Sequence, residues 1–241
     1  MGVVISANRT AIWLAFAALG SLPVAVLAEG ARGDPDLMVS RSCKKPEPCS
    51  QTWSLTSRLG DILEHYEKRI GRRNRAHRIL GIEFTTNERP RIWYPDFGNG
   101  KQSVIVQLTR RARRERSLAL FQLGHEAFHL MEPLPGAKAS FLEEGLASYF
   151  ALAYLKKGGV RNGLAFVAEK NYREAYDLVA QVAALHDDDF DARLKRLRAM
   201  QPSFSRATED QLRTAFPKTP ANVVRQLVSP FPQADVAGNK R

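Results

Sequence analysis

Cysteine is nearly absent: the chain of 241 residues holds 2, too few for a disulfide-rich miniprotein. Long apolar runs are as scarce. Only one, at the N-terminus, approaches the length of a membrane span, which excludes a polytopic membrane protein. Glycine (16) and proline (13) show no collagen-like excess, and 44% hydrophobic against 25% charged residues excludes a disordered chain. The composition leaves an ordinary globular protein, long enough for one domain of usual size or two small ones.

The single apolar run has the form of an export signal. Met1 to Arg9 is short and bears one basic residue, Ala11 to Ala28 is uncharged, and Val26-Leu27-Ala28 ends in small residues before Glu29-Gly30. We expect residues 1–28 to be a signal peptide cleaved after Ala28, giving a periplasmic or secreted protein; an uncleaved anchor is the alternative. The segment carries Arg9 and no acid, so the rest keeps a net charge of +10, one below the +11 of the whole chain. Residues 29–50 read as a leader. In an exported protein Cys43 and Cys49 are expected to close a short Pro-rich loop by a disulfide. A zinc knuckle is disfavoured there, because no second Cys or His pair sits nearby.

Residues 51–160 read as one domain. Leu55, Leu59, Ile62, Leu63, Tyr66 and Ile70 fall at helical spacing over 52–72. Short strands are expected over Ile79–Phe84, Arg91–Tyr94 and Ser103–Leu108, with a turn at Asn99-Gly100. A helix comes next, from about Arg113 to Glu132, stopped by Pro133 and Pro135. Ser140-Phe141-Leu142-Glu143 has the form of a capping box opening a second helix that ends at Gly158-Gly159. Residues 161–230 read as a helical C-terminal subdomain, with helix starts at Thr208-x-x-Gln211 and Thr219-Pro220. Residues 231–241 read as a tail. The fold class expected is α+β: a small mixed β-sheet followed by helices.

One motif carries chemistry. His125-Glu126-Ala127-Phe128-His129 is HExxH within the first of these helices. Positions i and i+4 lie about 40° apart on a helix, so both imidazoles reach one Zn²⁺ without bending the backbone. Glu126 is turned about 100° from His125 and so stands beside the metal, where it can take a proton from the attacking water and hand it to a leaving amine. A third ligand is required. No His occurs between His129 and His186, and Glu132 and Pro135 occupy the places where the metzincin extension needs Gly and His.

The next distinctive segment is Phe141-Leu142-Glu143-Glu144-Gly145-Leu146-Ala147. Together with HExxH this resembles the [WF]-L-x-E-G-x-A segment of gluzincin-type (peptidase MA-like) zinc metallopeptidases, the group that includes thermolysin-like enzymes. The resemblance covers about residues 100–157 and implies a zincin-like fold and peptide-bond hydrolysis. It implies that Glu144, before the glycine, is the third zinc ligand beside His125 and His129. Glu143 then serves as the capping-box residue that turns back to the helix N-terminus. Gly145 is expected to let the second helix approach the first, with Gly124 either relieving crowding or simply packing. A substrate-binding edge strand is implied just before the HExxH helix, where Ser103–Leu108 lies; an interior strand is the alternative. The group also uses a C-terminal Tyr or His to stabilise the oxyanion, for which Tyr172, Tyr176 and His186 are candidates. Tyr149 and Tyr154, on the ligand helix, fit packing better. Where thermolysin-like enzymes place an Asp four residues after the ligand Glu, this chain has Ser148.

Basic runs give a rival reading. Arg110, Arg111, Arg113, Arg114 and Arg116 form one, and Lys68, Arg69, Arg72, Arg73, Arg75 and Arg78 another. In an exported protein their partners would be anionic lipid or an anionic envelope polymer rather than nucleic acid. The alternative to a peptidase acting on peptide or protein substrates is therefore a non-catalytic metal-containing envelope protein. Asp187, Asp188, Asp189 and Asp191 suit a helix N-terminus better than a calcium site.

Overall fold

The structure is a computed structural model that describes residues 40–41, 52–98 and 102–232. The expected signal peptide and most of the leader, with Cys43 and Cys49, lie outside the described residues, as do Asn99-Gly100 and residues 233–241. No helix among the described residues is long and apolar enough to cross a membrane.

Strands β1 (Ser40–Arg41) and β2 (Thr52–Trp53) pair antiparallel. Helix α1 (Leu55–Ile70) begins at Ser54, whose hydroxyl accepts from the Ser57 N–H while the Ser57 side chain accepts from the Ser54 N–H. Two otherwise orphaned amides are satisfied in this way. The six apolar positions expected to share one face of α1 are the six that are buried. The central sheet contains β3 (Arg78–Thr85), β4 (Arg91–Trp93) and β5 (Ser103–Thr109) in the order β3-β5-β4. β5 lies parallel to β3 and antiparallel to β4. The sheet is thus mixed, and its central strand is β5. Six of the seven residues of β5 are buried, as expected of a strand covered on both faces. The edge beside the HExxH helix is therefore β4, and Ser103–Leu108 is interior.

A 3-10 turn at Arg110–Arg114 leads into α2 (Arg116–His129), and a loop leads on to α3 (Phe141–Lys157). Among the described residues beyond 160 the elements are helical, apart from a single antiparallel bridge between Ser140 and Pro230. They comprise a 3-10 turn at Gly163–Phe166, α4 (Lys170–Leu185), α5 (Phe190–Met200), a 3-10 turn at Phe204–Arg206, α6 (Glu209–Ala215) and α7 (Ala221–Val228). Thr208 and Gln211 form the expected reciprocal cap on α6. The protein is α+β, and α1, β5, α2 and α3 share one apolar core with α4–α7 through Val179, Leu194, Phe204, Phe216 and Val224. Each such buried side chain contributes about 1.5–3 kcal/mol, so the C-terminal helices are tied to the rest rather than packed on a core of their own.

Two glycines set the helix spacings. A methyl group on Gly145 would lie 2.3 Å from the Ala175 carbonyl oxygen and 2.7 Å from Val179 Cγ2, so Gly145 allows α4, not α2, to approach α3. The α2–α3 approach runs over Gly124, where a methyl would meet Ala151 and the Tyr66 hydroxyl at 3.2 Å. The close approach to α2 expected of Gly145 thus falls to Gly124, whose relief of crowding on α2 is as expected.

Candidate metal centre

α2 is a core helix: every residue from Phe121 to Phe128 is buried. Its C-terminal half presents His125 and His129 one turn apart toward the first turn of α3, which presents Glu144. The three residues place ligand atoms within 4.8 Å of one another. His125 Nε2 lies 3.0 Å from Glu144 Oε2 and 3.3 Å from His129 Nε2, which is 3.7 Å from Glu144 Oε1. Two imidazole nitrogens and a carboxylate oxygen that converge in this way are a donor set that a metal ion fits. Among the described residues this is the one group of three or more His, Cys, Asp or Glu side chains so disposed. This buried group can hold a metal ion.

The opposite ring nitrogens are held as well. His129 Nδ1 meets Glu143 Oε1 at 2.8 Å, and His125 Nδ1 meets Ser148 Oγ at 3.5 Å. With both Nε2 atoms committed to a metal, Nδ1–H donates to Glu143 and, over the longer distance, toward Ser148, fixing tautomer and ring orientation. Glu143 is therefore not the returning residue of a capping box. Ser140 caps α3 through the Glu143 N–H at 3.2 Å, but the Ser140 N–H is accepted by Ser205 Oγ at 3.1 Å. The Ser205 hydroxyl in turn donates to Glu143 Oε2. Ser205 does the capping work expected of Glu143 and leaves that carboxylate to hold His129.

The electrostatics are set by burial. The Glu126 carboxyl is raised above the ordinary carboxylate range by burial, with Glu144 adding to the shift and His129 and His125 opposing it. Burial would also raise Glu144, but the His129 and His125 rings and Arg89 hold it below its usual value. His129 is shifted up: burial works against its charged form, and Glu144, Glu143 and Glu126 outweigh burial.

Two cavities open on the group. The larger, about 350 Å³, is lined by β4 residues Arg91 and Ile92, by Tyr94, and by His125, Glu126 and His129 among others. The smaller, about 140 Å³, has apolar walls from Leu118, Phe121, Phe166 and Val167, with Arg89 and Glu169 also lining it. Tyr172 lines both, its ring 5.7 Å from that of His125 and edge-on to it. Burial and the nearby Glu144 and Glu126 carboxylates keep its phenol protonated. Of the three oxyanion candidates, only Tyr172 lines these cavities. Tyr176 packs beside Tyr149 (6.3 Å between rings), and His186 is buried edge-on to Phe216 (5.4 Å) with neither ring nitrogen hydrogen-bonded. Tyr154 lines a separate cavity.

Sequence reasoning missed Arg89, Tyr94, Ser205 and the orienting role of Glu143. Arg89 bridges to Glu169 at 2.8 Å, and its guanidinium sits 6.0 Å from the centre of the Tyr172 ring. The Tyr94 phenol is pushed up to about 12, by burial first and then by Glu143 and Glu126, against a hydrogen bond with the Leu134 backbone. The adjacent carboxylates Glu143 and Glu144 were the one available signal, since successive positions on a helix diverge by about 100° and serve different neighbours.

Compared with known proteins, the chain matches no family model, no curated protein and no solved structure.

Proposed function

We propose that the protein is a zinc-dependent peptidase of gluzincin type with a zincin-like catalytic domain, acting outside the cytoplasm. The observation that carries this reading is the convergence of His125, His129 and Glu144 with Glu126 buried beside them in an open cleft. Two imidazoles and one carboxylate are a zinc donor set that leaves a coordination position open. Bound there, Zn²⁺ would polarise a peptide carbonyl and acidify a water molecule.

The chain's own residues supply the rest. Glu126, with its proton affinity raised by burial, takes the proton of the attacking water and delivers it to the leaving amine. Tyr172 stays protonated and donates a hydrogen bond to the developing oxyanion. An extended substrate pairs its main chain with β4, whose second edge carries no strand among the described residues. The small apolar cavity takes a side chain of about leucine size next to the scissile bond. One observation favours this reading over a non-catalytic metal-containing protein: a phenol, Tyr172, stands beside His125.

The test is hydrolysis of a mixed peptide library. Activity should disappear with a strong chelator, return on adding Zn²⁺, and favour bonds flanked by Leu or Phe. Cleavage unaffected by full removal of the metal would exclude the proposal.

A further inference from the structure

Two prolines bracket Phe231. Ser229-Pro230-Phe231-Pro232 follows α7, and each proline fixes its own φ and keeps the residue before it out of the helical region. Ser229 is extended accordingly, at φ -70° and ψ 151°. Proline has no N–H, so Phe231 is the one backbone donor of Pro230–Pro232. It donates to the Ala139 carbonyl at 2.8 Å, and the Ser229 carbonyl accepts from the Phe141 N–H at 3.1 Å. These two bonds flank the antiparallel bridge between Ser140 and Pro230. They lay a stiff strap across the start of α3, the turn that carries Glu143 and Glu144. They also satisfy one of the amides that a helix N-terminus leaves without a partner. The strap is anchored to α4 as well, because the Gln226 side chain of α7 donates to Glu174.

The strap buries one side chain. Phe231, at the start of the expected tail, is only 5% exposed. It packs with Phe141 of α3 and Ala175 of α4. Its ring centre lies 5.2 Å from that of Phe141 and 4.8 Å from that of Tyr172. For Tyr172 this is a closer ring contact than His125 at 5.7 Å, and closer than the Arg89 guanidinium at 6.0 Å. Local structure holds Tyr172 poorly. It stands in the first turn of α4, where Glu169 occupies the N-cap position without a side-chain capping bond. The Arg89–Glu169 ion pair beside it is exposed on both sides, and exposed pairs hold weakly. The buried hold on the Tyr172 ring therefore comes from Phe231.

We propose that Phe231 is a positioning residue for Tyr172. Wedged between the first turns of α3 and α4, its ring keeps the Tyr172 ring edge-on to His125, so that the phenol faces the reacting carbonyl. The inference rests on the peptidase reading, in which Tyr172 donates to the oxyanion. Phe231 lines neither cavity of the cleft and acts only through the tyrosine. An aromatic pair constrains the plane of a ring as well as its distance. Without that contact the Tyr172 side chain is free to turn to another staggered rotamer, which carries its hydroxyl away from the oxyanion.

The experiment uses the full chain with isotope-labelled tyrosine rings. The resonance missing from Tyr172→Phe identifies Tyr172. In the metal-free wild type it should be displaced from its random-coil position by the neighbouring rings. Phe231→Ala should move it toward that position, and Leu194→Ala, a truncation in a remote part of the core, should leave it in place. With zinc bound, Phe231→Ala should lower kcat at least about tenfold with KM unchanged, since a misplaced donor forfeits part of the about 10²–10³-fold that an oxyanion donor contributes. The same substitution made in Tyr172→Phe should cost no further kcat, because the donor is already gone. Phe231→Leu keeps most of the buried volume without the ring and should give the same pattern if the alanine variant does not fold. A Tyr172 resonance that stays in place when Phe231 is replaced overturns the proposal, as does an equal fall in kcat with and without the Tyr172 hydroxyl. A wild-type chain that hydrolyses no peptide contradicts the peptidase reading instead, and the ring spectrum of the metal-free chain decides the hold of Phe231 on Tyr172 by itself.

Discussion

Glu143 and Glu144 are adjacent in sequence and do different things. Glu144 reaches the metal position, and Glu143 holds the far side of His129. Glu144→Ala should abolish stable metal binding, because two histidines and water form an incomplete site. Glu143→Ala should keep the site but weaken it by about 10–100-fold, the usual effect of removing a carboxylate that orients a ligating histidine. Competition with a chromogenic chelator separates the two, and equal affinity for Glu143→Ala and wild type would deny Glu143 its orienting role. The same contacts set a pH dependence. In the metal-free protein the surrounding carboxylates hold His129 protonated above its ordinary value of 6.5. A folded-state pKa above the unfolded one stabilises fully below about pH 6.5, and that contribution is lost as pH rises through the folded value. The melting temperature of the chelated protein should therefore fall as pH is raised from 6.5. Metal affinity should rise over the same range, because binding expels that proton. A melting temperature of the chelated protein that rises with pH would contradict this.

At the scale of elements, periodicity fixes much and partnership little. The buried face of α1 was legible in full, because six apolar residues at helical spacing leave one orientation. The HExxH helix was legible because its chemistry constrains its geometry. The order of the sheet was not: it depends on whether β3 or β4 flanks which side of β5, and those contacts leave no local trace. The sequence of Ser103–Leu108, with Ser103 and Gln107 among its apolar residues, left edge and interior strand open, and the pairing of β5 with β3 on one side and β4 on the other makes it interior. Helix partners were also hidden. A glycine reports that something comes close, not which helix it is, so the interface expected of Gly145 differs from the one the fold contains. Gly145→Ala would drive a methyl into the Ala175 backbone, which cannot yield as a side chain can. We expect a loss of about 3 kcal/mol, the upper part of the range for overpacked cores. Gly124→Ala, with contacts of 3.2 Å, should cost about 1 kcal/mol. Denaturant unfolding measures both, and the reverse order would mean that α3 and α4 do not pack this closely.

At the scale of the whole molecule, the site is completed from outside the segment that carries its motifs. Tyr172 comes from α4, and Ser205 comes from the 3-10 turn before α6. Neither has a local signature, because each acts through its position in the shared core and not through its neighbours in sequence. Charge is arranged on the same scale. Asp191 and Asp189 of the acidic loop pair with Arg69 at 2.8 Å and Arg193 at 2.5 Å, so the loop ties α5 to α1 and to its own next turn. The proposed peptidase reading makes peptide hydrolysis depend on one buried carboxylate, Glu126. Glu126→Gln preserves size and the metal ligands while removing the proton acceptor. Zinc content and peptide turnover should therefore be measured on the same preparation of this variant and of wild type. The proposed mechanism predicts zinc bound as in wild type, with turnover lowered by at least about 10²-fold, the lower range for loss of a positioned general base. Zinc bound as in wild type with undiminished turnover would contradict it.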